Sequence, residues 1–193
     1  CDPFAFPDME KAVARLTRAI EKRERICVYG DYDVDGVCAT SMLLMYLRAC
    51  GAAVSYHIPS RHAEGYGMNL AAVERLAAEG VGLIITVDNG VKANAELLRC
   101  RELGMDVIVT DHHLPGDTLP ECEAILCHTL PGCAYLNHNI CGAGTAFKLI
   151  EALGGRAAAL PYVALAGLAT VADVMPLTGE NRVFVSLALA AVN

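Results

Sequence analysis

The sequence has no surplus of positive charge: 15 Lys and Arg stand against 22 Asp and Glu, a formal net charge of −7 at pH 7. A protein that grips nucleic acid by its phosphates over a broad face carries a basic footprint, so any phosphate substrate here has to be held locally. There is no CxxC pair either, although nine cysteines run from Cys1 to Cys141. The odd count, with Cys27, Cys38, Cys50 and Cys100 inside apolar helix or strand patterns, argues against a disulfide framework and for buried thiols in a reducing cytoplasm. The dense stretch of Cys122, Cys127, His128, Cys133, His138 and Cys141 lacks the close ligand spacing of a zinc knuckle and reads as ordinary loop residues.

No run reaches the roughly 20 consecutive apolar residues that a membrane helix needs. The nearest, Ala157 to Ala172, is interrupted by Pro161, Tyr162, Gly167 and Thr170 and reads as a core helix. No basic segment followed by an apolar one opens the chain, so no secretory signal is expected and a cytoplasmic location is. The first residue is Cys1 rather than an initiator Met, which suggests an excised piece of a longer protein. Repeats, low-complexity tracts and long linkers are missing as well. What the sequence does have is apolar mass: 54% of it is hydrophobic and 19% charged, enough for one domain with a substantial core.

That mass is patterned. Residues 8 to 24 carry Met9, Val13, Leu16 and Ile20 at helical spacing with acids near the start. From there strands and helices alternate: a strand at 26 to 29 and a helix near 36 to 50; a strand at 53 to 58 and a helix at 69 to 79; a strand at 82 to 87 and a helix at 91 to 103; strands at 106 to 110 and 123 to 126. Strands separated by helices of this length are parallel βαβ units, and the unbroken "LIIT" and "VIVT" runs fit strands covered on both faces. The expected fold is α/β: an open, mostly parallel sheet of about five strands with helices on both faces, followed by a helical C-terminal segment beyond residue 140.

In such a sheet all strand C-termini lie along one edge, where ligands bind. Asp31, Asp33 and Asp35 of "GDYDVDG" follow the first strand; Arg61 and His62 follow the second; Asp88 and Asn89 end the third; Asp111, His112 and His113 end the fourth. The Asp-rich stretch is not an EF-hand, since its twelfth position is Met42 counted from Asp31 and Leu44 counted from Asp33, where a Glu is required. A cleft that collects carboxylates and imidazoles is electrostatically unstable without cations, and oxygen plus imidazole donors suit a pair of Mn²⁺ or Mg²⁺ ions. Two such ions hydrolyse phosphate esters.

The motifs "GDYDVDG" (30–36), "SRHAEGYGMN" (60–69), "TVDNG" (86–90), "VTDHH" (109–113), "CGAGTAFKL" (141–149) and "ATVADVMPLTGENR" (169–182) occur in this order and span nearly the whole chain. Together they resemble the DHH phosphoesterase superfamily, specifically its RecJ-type single-strand nuclease branch. The resemblance implies a metal-dependent exonuclease that removes nucleotides from the 5′ end of single-stranded DNA in repair and recombination. It further implies that Asp33 and Asp88 ligate one metal, while Asp35, Asp88, His112 and Asp173 ligate the other. His113 would contact the scissile phosphate or assist protonation, and Asp31 would support the ligands or form the turn. Arg61, Tyr66 and the N–H groups of Gly142 and Gly144 would meet the substrate. In small-molecule members a His commonly sits four residues before the first metal-binding Asp; here that position is Tyr29, which implies a first metal held more weakly or completed by water. The resemblance also implies accessory and oligonucleotide-binding domains outside these 193 residues, with a single-strand-binding protein and a helicase as partners of the whole. The alternatives it leaves are a short-oligonucleotide or cyclic-dinucleotide phosphodiesterase of the same superfamily and an inactive replication scaffold with this fold.

Overall fold

The computed structural model describes residues 1–61 and 65–192; His62 lies outside the described residues. After a short 3₁₀ turn, helix α1 (Met9–Glu21) leads into β1 (Arg25–Tyr29), α2 (Val34–Ala49), β2 (Ala53–His57), α3 (Leu70–Ala78), β3 (Leu83–Val87), α4 (Asn94–Glu102), β4 (Asp106–Asp111) and β5 (Ala124–Cys127). Four further helices follow: α5 (Gly142–Gly154), the single turn α6 (Arg156–Ala159), α7 (Val163–Ala172) and α8 (Gly179–Val192). The five strands form one sheet in the order β2-β1-β3-β4-β5, and every pairing is parallel.

Side-chain alternation sorts the strands onto two cores. Ile26, Val28, Leu83, Ile85, Val87, Ile108 and Leu126 face α1, α2, α5 and α7. Cys27, Tyr29, Ile84, Val107, Val109 and Ile125 face α3 and α4. All five residues of β3 are buried, as its unbroken apolar run predicts for a strand covered on both sides. Edge strand β2 stays half-exposed, consistent with its more polar sequence. No helix among the described residues is long and apolar enough to cross a membrane.

Three elements differ from the sequence expectation. The core helix expected over Ala157 to Ala172 is α6, a 3₁₀ turn at Leu160–Tyr162 and α7; Pro161 has no N–H to donate and its ring blocks a continuous helix. Helix α4 starts at Asn94 rather than 91, because Gly90 takes a left-handed φ of 112° and the chain turns before the helix begins. Helix α2 starts earlier than 36: Asp33 is its N-cap, so Asp35 lies in the first helical turn instead of in a loop.

From β1 the chain winds outward to β2, then crosses back to β3 and continues to β4 and β5. The connections leaving β1 and β3 therefore diverge, which opens a crevice at the carboxyl ends of these two neighbouring strands. Gly36 lets α2 sit tightly against that crevice, since a Cβ there would lie 2.6 Å from the carbonyl oxygen of Asp31. The sheet that positions the crevice depends on its central apolar strand. Ile85→Ala, at a fully buried position, is expected to cost about 2–5 kcal/mol, read as a lower urea midpoint at unchanged slope.

Candidate metal centre

The crevice is built from strand ends and helix starts. Beyond β1, Asp31 is almost completely buried. Asp33 accepts the Gly36 N–H at 2.9 Å through Oδ1, a capping bond that fixes its carboxylate at the helix entrance. Asp35, in the first turn of α2, is also buried, and its two oxygens accept the N–H groups of Ala143 and Gly142 at 2.7 Å each. The positive end of α5 therefore faces the Asp35 carboxylate.

Asp88 follows β3 in a left-handed conformation, φ 61°, which is uncommon for a residue with a side chain. The Asp88 N–H donates to Thr110 O at 3.0 Å. Neighbouring Asn89 donates from Nδ2 to Val87 O and Tyr29 O, at 2.9 and 3.3 Å, and so ties the ends of β3 and β1 together. Gly142 packs directly on Asp88: a Cβ on Gly142 would lie 2.7 Å from the Asp88 Cβ and 2.9 Å from Oδ1.

At the end of β4, Asp111 is buried and fully used. Its Oδ1 accepts the His112 and His113 N–H groups at 2.7 and 3.1 Å and lies 2.7 Å from His113 Nδ1; Oδ2 accepts the Val91 N–H at 2.9 Å. Burial pushes the Asp111 carboxyl up, but these hydrogen bonds and the His113 charge outweigh it and hold it below the usual carboxylate range. The hydrogen bond to Asp111 in turn raises His113. His112 points into the crevice, where its Nε2 lies 3.0 Å from Asp88 Oδ1 and 3.7 Å from both Asp35 Oδ2 and Asp173 Oδ2. Asp173 arrives from the C-terminal end of α7.

These side chains form three overlapping groups whose donor atoms lie within 4.8 Å of one another: Asp31, Asp33 and Asp88; Asp35, His112 and Asp173; Asp88, His112 and His113. Burial is the largest cause pushing Asp31, Asp35, Asp88 and Asp173 above the usual carboxylate range, and for Asp88 the charges of Asp35 and Asp33 add to it. Asp31 Oδ1, Asp88 Oδ1 and Asp173 Oδ2 are buried without a hydrogen-bond donor. Buried carboxylate oxygens normally find partners, so orphaned oxygens gathered in one crevice, two of them facing His112, are what a site for divalent cations requires.

Most of the residues singled out in the sequence thus meet here, and two expectations change. Gly142 and Gly144 do not offer their N–H groups to a substrate: the Gly142 N–H is taken by Asp35, and the Gly144 N–H by Cys141 Sγ at 3.4 Å. The anion at this helix start is the protein's own carboxylate. Asp31, read as a supporting acid, instead points its carboxylate into the same group as Asp33 and Asp88. Tyr29 turns away from the crevice, and its hydroxyl donates to Gly67 O at 3.3 Å. At the rim, the exposed Arg61 lies over the Tyr32 ring at 4.5 Å, and the Tyr66 hydroxyl donates to Asp88 O at 3.3 Å while lying equally close to His113 Nε2. Asp111 carries no assigned role in the sequence reading, although it sits among the strand-end acids; spacing alone does not tell which of three consecutive polar residues turns inward to hold the other two.

The model of the DHH family, N-terminal domain, matches residues 25–172. The single-stranded-DNA-specific exonuclease RecJ of Bacillus subtilis (strain 168) is 45% identical over 190 residues, covering 97% of this chain and 24% of that protein. RecJ of Escherichia coli (strain K12) is 41% identical, covering 91% of this chain and 33% of that protein. A crystal structure of exonuclease RecJ bound to manganese matches with a TM-score of 0.90 at 40% identity, over 98% of this chain and 49% of that one. The chain therefore spans only about a quarter to a third of the curated relatives it matches. With its strand-end acids, its Asp111-His112-His113 turn and this match over most of its length, the chain belongs to the DHH family.

Proposed function

We propose that this chain is the catalytic domain of a divalent-metal-dependent phosphodiesterase that removes nucleotides from the 5′ end of single-stranded DNA. The observation that carries the reading is the convergence on His112 of carboxylates from three separate segments, Asp35, Asp88 and Asp173, with the facing oxygens of Asp88 and Asp173 orphaned. Its similarity to RecJ exonucleases, one of them solved with manganese, supports Mn²⁺ or Mg²⁺ as the cations and single-stranded DNA as the substrate. The same reading makes the chain the DHH part of a longer protein. That protein would work in the cytoplasm on strands that a helicase exposes and a single-strand-binding protein covers.

Asp31, Asp33 and Asp88 would hold one cation; Asp35, Asp88, His112 and Asp173 would hold the other. When bound, the pair supplies an activated water and the positive charge that the phosphoryl and leaving oxygens need. The protein's own part is positional. Gly142 and Ala143 orient Asp35 through both carboxylate oxygens, and supporting contacts of this kind set ligand geometry. Asp111 takes the Nδ1 side of His113 and fixes the ring at the rim, so that Nε2 is left to hold or deliver a proton at a leaving oxygen. Arg61 offers a bidentate fork to a phosphate, and the half-exposed Tyr66 ring offers a face for the terminal base. The absence of a basic footprint fits a domain that binds only the reacting phosphate.

Hydrolysis of a 5′-phosphorylated single-stranded oligonucleotide with Mn²⁺, by the chain and by the full-length protein, tests the proposal. Asp88→Asn is expected to lower the rate by at least about 100-fold, because the residue belongs to both cation groups. Cleavage of a dinucleotide but not of the oligonucleotide by the full-length protein would replace the reading with a small-molecule phosphodiesterase; no cleavage and no Mn²⁺ binding would leave a scaffold.

Cation removal gives a second prediction. Saturating Mn²⁺ is expected to raise the melting temperature of the chain by about 5–10 °C over chelator, as a ligand at 100 times its Kd stabilises by about 2.7 kcal/mol. Asp88→Asn should largely abolish that shift. A third concerns packing: Gly142→Ala forces a methyl group onto Asp88 and is expected to weaken Mn²⁺ affinity by about 10-fold or more, measured by calorimetric titration, even if the fold survives.

A further inference from the structure

The loop that carries Tyr66 to the rim of the crevice is anchored from beneath by one buried side chain. Tyr29, the last residue of β1, has 0% exposure, and its ring lies on the α3 face of the sheet. Its hydroxyl donates to the carbonyl of Gly67 at 3.3 Å and accepts from Asn69 Nδ2 at 3.2 Å. Asn69 in turn caps α3, accepting the Ala72 N–H through Oδ1 at 2.8 Å. A continuous relay therefore runs from the helix start through Asn69 and Tyr29 into the loop, every donor meeting an acceptor. The ring of Tyr29 is itself held edge-on to His57, 4.8 Å between centroids, and Arg75 Nη2 lies 3.0 Å from His57 Nδ1. The anchor is thus braced by β1, β2 and α3 together.

Above it, Tyr66 stands between two glycines with left-handed backbone, Gly65 at φ 81° and Gly67 at φ 77°. These turns aim its side chain back over the sheet edge, where the hydroxyl donates to Asp88 O and the ring meets His113 edge-on at 5.9 Å between centroids. Gly67 is the residue on which the Tyr29 hydroxyl holds, and it immediately follows Tyr66. Fixing the Gly67 carbonyl fixes where the Tyr66 ring stands relative to Asp88 and His113.

We propose that Tyr29 is a positioning residue for substrate: through the Gly67 and Asn69 hydrogen bonds it holds Tyr66 at the place where the terminal nucleotide of single-stranded DNA seats beside the metal centre. This rests on the phosphodiesterase reading for the identity of the ligand, but the anchoring of the loop does not. Among the described residues the Tyr29 hydroxyl meets Gly67 and Asn69, neither a candidate metal ligand, so its effect is on substrate placement and not on cation binding. A fixed aromatic platform loses less freedom when a base stacks on it than a mobile one does.

The test uses Tyr29→Phe, which keeps the ring and removes only the hydroxyl, in the full-length protein. Steady-state hydrolysis of a 5′-phosphorylated oligonucleotide is expected to show KM raised about 3- to 10-fold, with kcat within about 2-fold, because net hydrogen bonds of this kind are worth that factor. Calorimetric Mn²⁺ affinity should be unchanged. In a Tyr66→Ala background the same substitution should add little further to KM, since the ring that Tyr29 helps to place is already gone. Amide hydrogen exchange over residues 65–69 should speed up in Tyr29→Phe, a readout that holds whether or not the protein cleaves DNA. Exchange unchanged in this loop would overturn the anchoring. Faster exchange with KM unaltered, with Mn²⁺ affinity lost in parallel, or with additive effects in the double variant would overturn the positioning role. Wild-type protein that cleaves no oligonucleotide would sink the phosphodiesterase reading instead, leaving the exchange result to judge the anchor.

Discussion

The confinement of like charge at one edge of a sheet governs this molecule. Asp31, Asp35 and Asp88 are almost completely buried within reach of Asp33 and Asp173, and most of this cluster is pushed toward protonation by burial. Desolvated carboxylates that face one another are costly without a counter-charge. The protein answers with partial charges: the start of α5 presents two N–H groups to Asp35, a cap bond holds Asp33, and His112 stands in the middle. What those donors leave unmet is the orphaned oxygens of Asp31, Asp88 and Asp173, the groups a cation would satisfy. Acids this crowded are evidence of function, since a structural role would have satisfied every oxygen.

Much of the remaining architecture serves to bring these groups close. The strand order places β1 and β3 side by side with diverging connections. Asn89 clamps the ends of those two strands, and the glycines at 36 and 142 remove the methylene that would keep helix starts away from the acids. The two histidines are separated by role: Asp111 binds the backbone of both and the ring of His113, while His112 is left to face Asp35, Asp88 and Asp173. One buried carboxylate thus gives two adjacent imidazoles different surroundings.

The residues of the centre and those of its rim are held by different parts of the molecule. The carboxylates and His112 stand on strand ends, at the start of α2 and at the C-terminal end of α7, with packed elements behind them. Arg61 and Tyr66 sit on a connection between β2 and α3 that is held through Tyr29, Asn69 and the carbonyl of Asp88. The candidate metal ligands and the rim residues therefore rest on separable sets of contacts.

The alternation of short apolar strands with helices was enough to define a parallel α/β sheet, and the rule that ligands gather at strand C-termini was enough to bring Asp31, Asp33, Asp35, Asp88 and His112 to one place, because both follow from local periodicity and from the direction of parallel strands. Asp173 is invisible to that argument: it ends a helix far along the sequence, and only the packing of α7 beside the sheet edge carries it to His112. Which way a polar residue turns was also beyond local pattern. "CGAG" reads as an anion-binding helix start, and it is one, but only the tertiary approach of α2 to α5 decided that the anion is Asp35 and not a substrate. Sequence alone determined which residue types reach the edge of the sheet; the three-dimensional packing decided their partners, because a hydrogen bond depends on where two distant segments meet and periodicity says nothing of that.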